Sequence, residues 1–195
     1  QPSAAQTTSN SKTNDGIDVT VIDAKPDAGF NYPYYLYAPE SASNVKKPVL
    51  VEPVNSGSGS DDFNVSLDAA KRTITGGTAR KISDELGLAF IVPVIPNPVS
   101  GRMYDHFIQE LDVETLSISA GDLKRVDNQL LQMASDARDR LAENAIDTTE
   151  KIVLNGFSAT GNFVNRFAAI HPDQVTSVTA GGINGTAILP LNKDK

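Results

Sequence analysis

The residues in this chain best placed for chemistry are Gly156-Phe157-Ser158-Ala159-Thr160-Gly161, a serine at a glycine-flanked corner between an apolar run and an amphipathic one. Two requirements make such a corner suit a nucleophile. The serine takes a strained backbone conformation, so small residues flank it, and the turn lifts its Oγ above a sheet. The N–H groups that follow, Ala159 first, open a helix and point at the space where an oxyanion would develop. The usual spacing is G-x-S-x-G. Here Thr160 takes the last place and the glycine follows it, which is compatible if the helix sits slightly farther from the neighbouring strand. The competing possibility is a serine N-cap behind a turn glycine, with ordinary helical or extended backbone in place of a positive φ. A phosphate cradle is disfavoured, because the G-x-G-x-x-G glycines and the Walker lysine are missing.

A second oxyanion donor is expected from the glycine-rich stretch "VNSGSGSDD", where Asn55, Ser56 and Gly57 are the candidates by position. Glycines there let the backbone approach a bound carbonyl closely; a plain surface loop is the alternative. Asp61 and Asp62 suit the cap of the next helix. The chain has two histidines. His171 lies at the far end of the helix that Ser158 opens, about 20 Å away at 1.5 Å per residue, which excludes it as a base for Ser158. His106, in a long loop with Tyr104 and Phe107, is expected to line the mouth of a substrate pocket or to be a surface histidine.

The elements that must position these residues follow from hydrophobic period. Residues 17–23 alternate as a half-buried strand, and 31–40 form an aromatic strand that Pro33 places near a sheet edge. The runs 48–54 and 88–95 read as strands buried on both faces. Residues 63–86 read as helix, broken or kinked at Gly76 and Gly77. A polar and aromatic excursion spans 96–121. The clearest helix is 122–145, with Leu123, Val126, Leu130, Met133, Ala137 and Leu141 on one face. Strand, helix and strand follow at 151–156, 161–172 and 174–182. Strands alternating with helices predict one α/β domain, residues 17–195, with a doubly wound, mainly parallel sheet and a short antiparallel pair at its start. Ligands in such sheets sit beyond the carboxyl ends of the strands, where the loops 55–62 and 96–121 and the Ser158 corner converge.

Composition narrows the function classes. A net charge of −7 without a basic stripe argues against nucleic acid. With no cysteine there is no disulfide framework, thiolate zinc site or cysteine nucleophile. No metal or cofactor is called for. The longest apolar run, 86–99, is too short for a membrane span and is broken by prolines. The polar, low-complexity leader 1–16 is expected to be disordered. It resembles the spacer behind a removed signal peptide or lipid-anchor site, which implies a secreted or cell-surface bacterial protein.

The segments "PVLVEPVNSGSGSDDF", "ELGLAFIVPVIPNP", "YDHFIQELDVETL", "DLKRVDNQLLQMASDARDRL", "GFSATGNFVNRFAAIHPDQV" and "AGGINGTAILP" lie in an order and spacing that resemble the α/β-hydrolases. They are similar to the branch of extracellular polyhydroxybutyrate depolymerase-like and feruloyl-esterase-like proteins, over about residues 31–191. The resemblance implies an α/β-hydrolase fold and Ser158 as nucleophile, with the Ala159 N–H and the 55–57 loop as oxyanion hole. It implies a small-molecule or polymeric ester as substrate. In that fold acid and base follow the serine in chain order, so a base at His106 would reverse it. The fold is therefore expected to be incomplete at its C-terminal end. A segment beyond Lys195 or a second polypeptide would then supply acid and base, whether the end at Lys195 reflects proteolytic processing or truncation. A protein that has lost catalysis is the third explanation, and an exported non-catalytic binding module on a hydrolase fold is the alternative function.

Overall fold

The computed structural model describes residues 17–43, 45–55, 62–96 and 110–183. A hairpin-like pair opens the chain, β1 (Ile17–Ile22) and β2 (Tyr34–Ala38). The next strand, β3 (Leu50–Val51), leads to helices α1 (Phe63–Gly76) and α2 (Thr78–Leu86), which are followed by β4 (Phe90–Pro93). The short helix α3 (Val113–Ser117) and the long α4 (Val126–Glu143) precede β5 (Ile152–Phe157). Helix α5 (Ala159–Ile170) and strand β6 (Val175–Gly181) complete the described elements.

The strands form one six-stranded sheet in the order β1-β2-β4-β3-β5-β6. The β1–β2 and β2–β4 pairs are antiparallel, and the pairs from β4 to β6 are parallel. Side chains alternate between the faces as the two-residue strand period requires. Val51, Ile91, Ile152 and Leu154 pack with Leu130, Met133, Phe163 and Phe167 of α4 and α5. On the opposite face Leu50, Phe90 and Val92 pack with Ala70, Ile74 and Ala79 of α1 and α2. The chain therefore leaves β3 over one face and β5 over the other. That divergence makes the carboxyl ends of β3 and β5 the topological switch point of the sheet, the position at which doubly wound sheets bind ligands.

Several boundaries differ from the sequence expectations for local reasons. Pro33 lies near an edge, as expected, but not on the edge strand itself: β2 is second in the sheet, between β1 and β4, and Pro33 precedes it with its carbonyl accepting the Val94 N–H at 3.0 Å. The run 63–86 breaks into two helices at Gly77, where a Cβ would lie 2.8 Å from the Thr73 carbonyl oxygen. Helix α4 starts only at Val126, because Arg125 holds a left-handed backbone with φ 48° and Leu123 falls in the preceding turn. Asp62 caps α1 as expected, accepting the Asn64 N–H at 2.9 Å. The leader 1–16 and Asp61 lie outside the described residues.

Helix α5 is held at its far end by a buried ion cluster. Asp127 is fully buried, pairing with Arg125 Nη2 at 2.6 Å and with His171 Nε2 at 2.9 Å. The His171 ring lies 4.7 Å from that of Phe167. Burial pushes the Asp127 carboxyl up, but the bonds from Arg125 and His171 outweigh it and hold the group below the usual carboxylate range. A depressed carboxylate contributes stability that is present above its unfolded pKa, near 4, and lost as pH falls through the folded one. Asp127→Asn is expected to cost about 1–3 kcal/mol at pH 7. Below about pH 4 that difference should shrink. Urea unfolding of both proteins at pH 7 and pH 3 measures it, and a gap that is equal at the two pH values would contradict the assignment.

Candidate active site

Strand β5 carries the chain to Ser158 at the carboxyl edge of the sheet, and α5 begins with the next residue. The Ser158 backbone has φ 61° and ψ −125°, a region that L-residues rarely enter. Its N–H donates to the Gly181 carbonyl on β6 at 2.9 Å, and its own carbonyl accepts the Asn162 N–H at 3.1 Å. The side chain is exposed and makes no capping hydrogen bond to α5. An ordinary N-cap would have extended backbone and a side-chain oxygen on the N2 or N3 amide. Ser158 has neither.

The glycine spacing now has a steric cause. A Cβ on Gly156 would lie 2.3 Å from the Thr160 carbonyl oxygen, and one on Gly161 would lie 2.3 Å from the Gly181 carbonyl oxygen. The close helix-to-strand approach is thus made at Gly161, one residue later than in G-x-S-x-G. Thr160 fits because its buried hydroxyl turns back beneath the corner. It accepts the Phe157 N–H at 3.1 Å and donates to the Phe157 carbonyl at 2.9 Å.

The loop leaving β3 reaches the same corner. Asn55 Nδ2 donates to the Phe157 carbonyl at 2.7 Å. One level below, Asn155 Nδ2 donates to Glu52 Oε2, joining the ends of β5 and β3. Burial raises the Glu52 carboxyl above its ordinary range, and the Asn155 bond only partly offsets this. Ala159 is buried as the first residue of α5, where helix N–H groups lack intrahelical partners. The structure therefore brings Ser158, Ala159 and Asn55 together. The other candidates, Ser56 and Gly57 in the loop and Tyr104, His106 and Phe107 at the pocket mouth, lie outside the described residues. His171 closes the opposite end of α5 on Asp127.

Sequence reasoning nominated Asn55 for its backbone and missed its side chain. It also treated Thr160 only as a departure from pattern. The signal for Thr160 was its hydroxyl at a position where glycine is usual. Glu52 left no signal beyond a carboxylate in an apolar run. Among the described residues no group of three or more histidine, cysteine, aspartate or glutamate side chains is arranged to hold a metal ion. Nor is any helix among them long and apolar enough to cross a membrane.

A strand order of β1-β2-β4-β3-β5-β6 with a left-handed serine at the β5–α5 corner defines the α/β-hydrolase fold. A solved structure agrees. An S-formylglutathione hydrolase from Agrobacterium tumefaciens matches with a TM-score of 0.53 at 13% identity, over 87% of this chain and 59% of that one. The poly(3-hydroxybutyrate) depolymerase LpqC from Bordetella parapertussis matches at 0.49 and 17% identity, over 86% and 52% of the two chains. An acetyl xylan esterase from Aspergillus awamori matches at 0.41 and 21%, over 76% and 46%. The chain thus spans about half the length of these proteins. No family model matches the sequence, and no curated protein does.

Proposed function

We propose that this chain is part of a serine hydrolase that cleaves carboxylic esters through an acyl-enzyme on Ser158. The observation that carries the proposal is the left-handed Ser158, exposed and making no capping bond, at the carboxyl end of β5 beside that of β3. Ser158 Oγ attacks the ester carbonyl carbon as its proton passes to a base. The oxyanion forms against the Ala159 N–H and the amides of the 55–57 loop. The tetrahedral intermediate collapses, the alcohol leaves with the proton, and the acyl group stays on Oγ. Water, deprotonated by the same base, then attacks the acyl carbonyl, releasing the acid and restoring the serine.

Base and orienting carboxylate would come from a segment beyond Lys195 or from a second polypeptide. Two observations support this. His171 is committed to Asp127, and among the described residues β6 pairs on one side only, with β5. The core of β6, "VTSVTAG", carries no charge to blunt an open edge. The polar leader favours a place outside the cell, at the surface or secreted.

The intact protein, as its cells make it, is expected to hydrolyse short p-nitrophenyl esters, and native mass spectrometry is expected to find more chain than 20.7 kDa in the folded species. A folded, monomeric species of that mass would overturn the completion by further chain. A well-folded intact protein without turnover would overturn the hydrolase and leave the binding module.

A further inference from the structure

The peptide plane joining Phe157 to Ser158 is held at both ends. At one end the Phe157 carbonyl accepts from Asn55 Nδ2 at 2.7 Å and from Thr160 Oγ1 at 2.9 Å, which occupies both of its lone pairs. At the other end the Ser158 N–H donates to the Gly181 carbonyl at 2.9 Å. Thr160 also accepts the Phe157 N–H at 3.1 Å, so a single hydroxyl satisfies both backbone groups of Phe157. The φ of Ser158 is the rotation between this plane and its own Cα. A free plane would swing to a negative φ, because the left-handed region is strained for a residue with a Cβ. A glycine in the place of Thr160, as in G-x-S-x-G, would offer no such hydroxyl, so the hold it adds is particular to this corner.

We infer that Thr160 and Asn55 are positioning residues that clamp the Phe157–Ser158 peptide plane and thereby hold the nucleophile in its left-handed conformation; the inference rests on Ser158 being that nucleophile. The clamp acts on Oγ through the backbone and touches no substrate. The two residues come from different elements, Thr160 from α5 and Asn55 from the loop after β3. Asn55 therefore also ties the end of the described segment after β3 to the serine corner. The displaced glycine is part of the same device: the close approach to β6 moves to Gly161, and the vacated position carries the hydroxyl.

The test uses the intact protein and four variants, with fluorophosphonate labelling rate, kcat and KM as readouts. Thr160→Val keeps the shape and removes the hydroxyl. Its labelling rate and kcat are expected to fall about 100-fold, as for a reacting atom displaced by about 1 Å, with KM within about threefold. Thr160→Ser should recover most of the loss. Asn55→Ala should label about tenfold slower, and Asn55→Asp no faster, since a carboxylate cannot donate to a carbonyl. A purely structural threonine would lower the unfolding midpoint without slowing labelling of the folded protein. Wild-type labelling rates in Thr160→Val and Asn55→Ala would overturn the clamp. If Thr160→Val does not fold, Asn55→Ala, altered at an exposed side chain, carries the same comparison. If folded wild-type protein is not labelled at all, the hydrolase proposal fails separately. Amide exchange at Ser158 then decides the clamp: about tenfold faster exchange in a variant sustains it, and unchanged exchange overturns it.

Discussion

Ser158→Ala is expected to reduce ester turnover by the intact protein about 10⁵- to 10⁶-fold and to abolish its labelling by a fluorophosphonate. The unfolding midpoint should not change. The hydroxyl is exposed and caps nothing, so the substitution removes the proposed attacking oxygen and no core contact. Alanine and serine pay the same penalty at φ 61° because both carry a Cβ. The proposed oxyanion donors are untouched, so the variant should retain a small rate above buffer. Equal labelling of wild type and variant would place the nucleophile elsewhere. Ser158→Gly separates strain from chemistry. It should be as inactive as the alanine variant, yet more stable than wild type by about 1 kcal/mol, because glycine accepts the left-handed backbone without cost.

The largest loss of stability is expected at the two glycines that let the corner close. Gly156→Ala would press a methyl group against the Thr160 carbonyl, with the oxygen at 2.3 Å and the carbon at 2.6 Å. Gly161→Ala would meet the Gly181 carbonyl oxygen at 2.3 Å and Ile183 Cγ2 at 3.2 Å. The nearest obstacles are backbone atoms of a helix and a strand, which cannot turn aside as a side chain can. Each change should cost about 3 kcal/mol or more, near the upper range for overpacking. That corresponds to a drop of roughly 6–12 °C in unfolding midpoint for a domain of this size. Gly76→Ala is the matched control: it ends α1 with nothing within 4 Å of an added Cβ. There alanine should stabilise by about 0.5–1 kcal/mol through helix propensity and a less flexible unfolded chain. Thermal unfolding of the three variants gives the comparison. Losses at Gly156 and Gly161 no larger than the change at Gly76 would show that the corner is looser than its distances imply.

Much of the fold was legible in residue order alone. Alternation over 17–23 and apolar runs near 50, 90 and 152 marked β1, β3, β4 and β5, because one strand face or two must be buried. The three- and four-residue spacing from Val126 to Leu141 marked α4. Gly156, Ser158 and Gly161 together pointed to a strained corner. What periodicity reports is local, and here it served well. Strand order is not local: that β3 lies between β4 and β5, setting the switch point beside Ser158, depends on pairings between residues far apart in sequence. The same limit applied to the strand after Pro33, whose place one in from the edge followed from where β1 and β4 dock. It applied equally to Arg125, whose left-handed turn sets the start of α4 and whose partner Asp127 meets His171 from another helix. The side chains around the serine show the division most sharply. Sequence spacing alone brought the Ser158 corner and the β3 loop to the same edge of the sheet. Only the packed structure shows the Asn55 amide and the Thr160 hydroxyl converging on one carbonyl oxygen, since that depends on the rotamers and backbone directions of three elements at once.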